Sequence, residues 1–294
     1  MSIKRLCLIT LSVAALAVAT ITALSAAALL EMLQLPRTVM TDWPTAQVVK
    51  IDAADHVPLN AAWVPSPKFS GTCVLTVHGV GGWRARSHRF LPWLLPAGYS
   101  VLSPDLRAHG DSGGDTITYG LLEQHDVLAW VAWMRGQGCA RIFGVGESLG
   151  ASTLIMAAAL DPSAFQALVA ECPFADLLQA AEERAQGMLR FSGPVARPLA
   201  VMAVGGGNLY LRATRGLNFA KVTPVESMAL LRVPVLLIHG LADARTPPAH
   251  SRQLAEANLR YAQLWLVPGA KHVGAYTTAP VEFRERVLAF LAAS

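Results

Sequence analysis

The pentapeptide Gly146-Glu147-Ser148-Leu149-Gly150 follows the apolar run RIFGV and precedes ASTLIMAAAL. A strand that turns into a helix through Gly-x-Ser-x-Gly holds its serine in a tight elbow above the sheet edge. The flanking glycines let backbone segments pass where a Cβ would clash. Ser148 is therefore a candidate nucleophile, the alternative being an ordinary helix N-cap serine. Its hydroxyl needs a base to take the proton. Of the histidines after Ser148, His272 in PGAKHVGAY follows the last predicted strand and leaves room for an acid upstream. Asp243 in LLIHGLADARTPP is the expected acid, orienting the imidazole and stabilising its cation, with Asp176 as second choice. His78, His109 and His239 lie at strand ends or in loops, whereas His56, His88, His125 and His250 read as surface positions.

Acyl transfer also needs backbone donors for a developing oxyanion. The amide of Leu149, directly after the serine, is one candidate. The amide of Val80, in the glycine-rich His78-Gly79-Val80-Gly81-Gly82 loop, is the other. That loop has neither the Gly-Lys-Ser/Thr ending nor the Gly-x-Gly-x-x-Gly spacing of a nucleotide site, so nucleotide binding is not expected. The four cysteines (Cys7, Cys73, Cys139, Cys172) show no Cys-x-x-Cys spacing, so a structural zinc site is not expected either.

These residues need a frame that brings strand ends together. Residues 46–51 and 57–64 alternate apolar and polar side chains around a turn and read as an antiparallel hairpin. Residues 72–79, 100–105, 141–146, 165–170, 234–240 and 263–269 are short, nearly continuous apolar runs, consistent with buried parallel strands. Helical patterns at 87–96, 119–136, 148–160, 247–258 and 281–292 fill the gaps. Such alternation implies an α/β chain whose mostly parallel sheet carries helices on both faces. Residues 176–231 break the rhythm with helix fragments, a glycine run around Gly206 and no clear period. A long insertion in an alternating domain is usually functional, so this one is expected to be a lid or cap, or else extra packing helices.

The chain has 294 residues with 53% hydrophobic and only 15% charged side chains, which excludes general disorder. A net charge of +4 without a basic stripe argues against nucleic-acid binding. Part of the apolar excess lies in residues 6–30, which carry no charge and are preceded by Lys4 and Arg5. A helix of that length crosses a bilayer core, and the basic start favours a cytoplasmic N-terminus. The expectation is a single-pass anchor with an extracytoplasmic catalytic part: residues 1–5 cytoplasmic, 6–30 in the membrane, 31–45 a linker and 46–294 the working domain. A cleaved signal peptide, leaving a secreted or periplasmic enzyme, is the alternative.

Together, these residues resemble the α/β-hydrolase superfamily over roughly residues 48–291. The His-Gly-x loop is His78-Gly79-Val80, and the Asp-x-Arg-Gly-His-Gly-x-Ser signature is matched by residues 105–112, with Ala108 in place of a glycine. Within the superfamily the chain looks most like the serine aminopeptidase S33-like and monoglyceride-lipase-like group, which includes membrane-anchored members. The resemblance implies an α/β-hydrolase fold with a helical cap between strands six and seven, where residues 176–231 fall. It implies a serine hydrolase but does not fix a substrate, because one fold hosts many chemistries. The expected reaction, with no cofactor or metal, is cleavage of a small-molecule carboxylic ester, lipid-like acyl esters among them. An amidase or peptidase of the same fold, or a non-catalytic binding module, is the alternative. Met202, Leu209, Leu211 and Trp83 are expected either to line an acyl pocket or to belong to the core. The family's strand order makes the strands that begin near Cys73 and Cys139 neighbours, which leaves a disulfide between them open.

Overall fold

A computed structural model describes residues 33–38 and 42–294. Eight strands form one sheet in the order β1-β2-β4-β3-β5-β6-β7-β8. They are β1 (Gln47–Asp52), β2 (Pro58–Val64), β3 (Thr72–Val77), β4 (Ser100–Pro104), β5 (Arg141–Glu147), β6 (Leu168–Glu171), β7 (Val235–Gly240) and β8 (Ala262–Val267). β2 runs antiparallel to both β1 and β4, and every other pairing is parallel. The hairpin register pairs Gln47 with Trp63 and Asp52 with Pro58. The mostly parallel sheet follows from the apolar runs: strands covered on both faces must be apolar on both faces. Along β3, Cys73, Leu75 and Val77 enter one core while Val74 enters the other. That alternation is the two-residue period of a strand.

Helices cover both faces. They are α1 (Leu91–Leu94), α2 (Glu123–Gly136), α3 (Leu149–Leu160), α4 (Leu177–Met188), α5 (Ala196–Arg215), α6 (Pro224–Leu230), α7 (Ala249–Ala257), α8 (Ala275–Thr278) and α9 (Pro280–Ala293). One core gathers Leu75, Leu102, Trp130 and Leu154, and the other gathers Phe90, Phe143, Phe283 and Leu291.

Three local expectations change. The helix expected over 87–96 is a 3-10 turn at Arg84–Phe90 followed by the single turn of α1, which begins with Pro92 in its first turn. The strand expected from residue 165 pairs only from Leu168. The glycine-rich stretch is the interior of α5, a helix of 20 residues. Each glycine there costs about 1 kcal/mol against alanine. The buried stripe of Ala196, Ala200, Val204, Gly207 and Leu211 recurs at helical spacing and offsets that cost.

Cys73 and Cys139 are joined in a disulfide with Cα atoms 5.8 Å apart, and Cys172 is free and buried. The expected single-pass anchor is corrected: among the described residues no helix is long and apolar enough to cross a membrane. Residues 6–30, on which that expectation and the extracytoplasmic placement rested, lie outside the described residues.

Candidate active site

Ser148 joins β5 to α3 with φ +51° and ψ −113°. A side chain held at positive φ costs on the order of 1–3 kcal/mol and persists only where its surroundings over-determine it. Here they do. A Cβ on Gly146 would lie 2.7 Å from the Ala151 Cα, and one on Gly150 would lie 2.2 Å from the Val77 carbonyl oxygen. Only glycines allow strand and helix to approach so closely. The Ser148 amide donates to the Glu171 carbonyl on β6 (2.8 Å), fixing the elbow to the neighbouring strand.

His272 follows β8, and Asp243 follows β7. The Ser148 hydroxyl lies 3.0 Å from His272 Nε2, and His272 Nδ1 lies 2.7 Å from Asp243 Oδ2. A carboxylate can only accept, so Nδ1 carries the proton and Nε2 is left to accept from the serine. Asp243 Oδ1 accepts from the amides of Arg245 and Thr246, both at 2.9 Å. Burial alone would raise the Asp243 carboxyl, but hydrogen bonds from His239, His272 and the Thr246 amide outweigh it and hold the group far below the usual range. Asp243 is therefore ionised at any working pH. Asp176, the second choice, instead caps α4 by accepting from the Gln179 amide (2.8 Å).

His239 supports Asp243 from beneath. Its Nε2 faces the Thr246 carbonyl at 2.8 Å and Asp243 Oδ2 at 3.3 Å, both acceptors, so Nε2 is protonated and Nδ1 accepts from the Ser251 hydroxyl (2.6 Å). Cys172, His239 and Asp243 form a close buried group of metal-ligand types. Their atoms are already engaged with Val273, Ser251, Thr246 and His272.

Val80 and Leu149 both border the cavity that contains Ser148, and among the described residues neither amide donates to an acceptor. The loop carrying Val80 is fastened by two histidines. His78 Nδ1–H donates to the Gly79 carbonyl (2.8 Å), and His78 Nε2 accepts from the Leu106 amide (3.1 Å). Burial and the neighbouring His109 push His78 down to about 3, so it stays neutral. His109 Nε2 accepts from the Gly81 amide (3.0 Å), and its Nδ1–H donates to the Arg107 carbonyl (2.9 Å). The Asp-x-Arg-x-His-Gly-x-Ser segment thus braces the glycine loop. Asp105 continues the brace by accepting from the Arg84 and Asp111 amides.

An apolar cavity of about 170 Å³ opens beside Ser148, walled by Leu35, Leu149, Phe174, Leu177 and Ala181, with Arg184 and Arg245 also on its lining. A second, more polar cavity of about 200 Å³ also borders the serine and includes Arg86, Arg245 and His272. The residues expected to line an acyl pocket lie elsewhere. Leu211 is fully buried in the core, Leu209 is exposed, and Met202 and Trp83 do not border the cavity. His250, expected at the surface, is buried and ties α4 to α7: Nδ1 accepts from the Ala175 amide, and Nε2–H donates to Glu183 (3.1 Å).

Sequence reasoning passed over an acidic pair behind the elbow. Glu147 and Glu171 are register partners on β5 and β6. Arg89 pairs with Glu147 and lies 4.0 Å from Glu171, while Glu171 Oε1 accepts from the Ala275 amide (2.9 Å). Burial and the Glu147 charge push Glu171 up to about 7. An acid closing the apolar run LVAE was the available signal.

The model of the prolyl oligopeptidase family matches residues 91–294. The uncharacterized protein YqkD of Bacillus subtilis is 28% identical over 77% of this chain and 73% of its own length. The uncharacterized protein YfhR of Escherichia coli O157:H7 is 25% identical over 84% of this chain and 81% of its own. Among solved structures, an esterase of Pyrococcus furiosus superposes with a TM-score of 0.72 at 26% identity, covering 89% of this chain and 98% of its own. Est1E of Butyrivibrio proteoclasticus, solved with ferulic acid, shares the fold with a TM-score of 0.62 at 19% identity, covering 83% and 98%. With the parallel sheet, these similarities make this an α/β-hydrolase fold.

Proposed function

The chain belongs to the prolyl oligopeptidase family, and from that premise we propose that it is a serine hydrolase cleaving carboxylic esters through an acyl-enzyme. The observation that carries this reading is the unbroken hydrogen-bonded series from Ser148 through His272 to Asp243. Ser148 Oγ attacks the ester carbonyl carbon while His272 Nε2 takes its proton. The oxyanion that forms is held by the amides of Val80 and Leu149. Collapse of that intermediate breaks the bond to the alcohol, which leaves with the proton from Nε2. Water then attacks the acyl-enzyme, giving its proton to Nε2, and the acid departs as Ser148 recovers its hydrogen. Asp243 keeps the imidazole in the required tautomer and stabilises its cation throughout. The helices between β6 and β7 act as the cap, α4 lending Leu177 and Ala181 to the apolar wall.

The family name raises peptide cleavage as a second reading. A peptidase that selects a free amino terminus needs carboxylates in its cleft. The acids lining the cavities at the site are Glu147, held by Arg89, and Glu183, bonded to His250. The uncommitted charges there are cationic, which argues against recognition of a free amino terminus.

The test uses the full chain and Ser148→Ala on p-nitrophenyl esters of increasing acyl length and on peptidyl p-nitroanilides, with a fluorophosphonate probe. Ester turnover and labelling that both vanish in Ser148→Ala are expected. A folded parent that neither labels nor turns over ester defeats the proposal.

A further inference from the structure

Most arginines near the sheet's catalytic edge have carboxylate partners. Arg84 is held by Asp42, Asp105 and Asp111, Arg107 by Asp55 and Asp126, and Arg89 by Glu147. Arg86, which borders the polar cavity, lacks a carboxylate partner among the described residues, and so do Arg184 on α4 and Arg245, two residues after Asp243. The latter two line the apolar cavity beside Ser148, and both line a further cavity between α4 and the Asp243 loop. Among the described residues neither forms an ion pair, and neither side chain donates a hydrogen bond to a carboxylate. Glu183 borders that further cavity, but its oxygens accept from His250 Nε2–H and Gln179 Nε2–H instead. Two like charges are thus brought to one opening with no carboxylate bonded to either guanidinium. Although Tyr119 and Asp243 act the other way, burial and then repulsion by Arg184 lower the Arg245 guanidinium from its ordinary value. An anion placed between them relieves that repulsion, and planar guanidinium forks match carboxylate and phosphate oxygens.

We propose that the ester substrate carries an anionic group, a carboxylate or a phosphate, which Arg184 and Arg245 bind at the mouth of the apolar cavity; this rests on the ester-hydrolase reading above. The apolar wall takes a hydrocarbon chain and the arginine pair takes its charged end. Arg245 is held to the reacting residues through its own backbone, since its amide donates to Asp243. Charge recognition and the acid that orients His272 are therefore parts of one loop.

The experiment compares p-nitrophenyl hydrogen dicarboxylates, from adipate to suberate, with their methyl-capped neutral counterparts and with ω-phosphonates of the same length. Uncatalysed rates are subtracted, and Ser148 labelling by a fluorophosphonate is followed in parallel. The full chain is expected to favour a charged ester by about tenfold in kcat/KM, the worth of one charge-assisted hydrogen bond. That charged-to-neutral ratio falls toward one in Arg184→Gln and Arg245→Gln, is partly kept in Arg245→Lys, and shrinks with added salt. Whichever charged series is favoured identifies carboxylate or phosphate as the group read. A labelled, active enzyme with a ratio near one, or a ratio unchanged in the double glutamine variant, overturns this inference alone. Absence of both labelling and turnover overturns the hydrolase reading, and this inference with it.

Discussion

Glu147 and Glu171 face each other across paired strands immediately behind Ser148, and one guanidinium, that of Arg89, serves both. Two carboxylates this deeply buried do not both ionise without cost, and Glu171 holds its proton up to about 7. In the unfolded chain the same group releases its proton near 4.5. The folded state binds the proton more tightly, so the stabilisation is complete below pH 4.5 and is lost as pH rises through 7. Glu171→Gln keeps an acceptor for the Ala275 amide and removes the titration. Melting temperatures from pH 4.5 to 8 should decline more steeply for the parent than for this variant, and parallel curves would contradict the assignment.

Asp243→Asn should leave the fold intact and lower kcat by about 10³–10⁴-fold, because an amide facing Nδ1 no longer enforces the tautomer that leaves Nε2 free. Steady-state kinetics together with circular dichroism distinguish this from unfolding. A loss below tenfold would mean that Asp243 is not the orienting acid.

His109→Ala removes the acceptor for the Gly81 amide next to Val80. A loosened donor acts on the tetrahedral intermediate more than on the bound ester. The expected result is a kcat lowered by about tenfold to a hundredfold, with KM changed far less. An effect confined to KM would place His109 in substrate binding instead.

The Cys73–Cys139 bridge closes a loop with a sequence separation of 66. Such a crosslink is worth about 2–4 kcal/mol through the entropy it removes from the unfolded chain. The paired Cys73→Ser and Cys139→Ser variant should unfold at correspondingly lower denaturant, while dithiothreitol should shift only the parent.

What the sequence disclosed was local. The elbow glycines, the apolar runs and the positions of Asp243 and His272 after β7 and β8 are each written in a few adjacent residues, and the structure brings the Asp243 and His272 side chains together with Ser148. The pocket was not readable in the same way. Its wall joins Leu35, Phe174 and Leu177 from distant segments, whereas Leu209 and Leu211, apolar and close in sequence, point to solvent and to the core. The α5 glycines left only helix fragments without a clear period in view, because propensity ignores the buried stripe that the fold supplies. Glu171 escaped notice and His250 was read as a surface position because a polar residue looks exposed until its buried partner is known.

Leu35 touches the cavity from a segment ahead of the first strand, where Leu33 is buried and its carbonyl accepts from the Ile117 amide. Arg37 extends the attachment by donating to the carbonyls of Ser112 and Gly114. This segment therefore belongs at once to the folded core and to the wall of the pocket. A truncation drawn at the start of β1 would keep every strand and every reacting atom yet cut away one wall of the pocket, so its acyl-length preference would belong to a different enzyme.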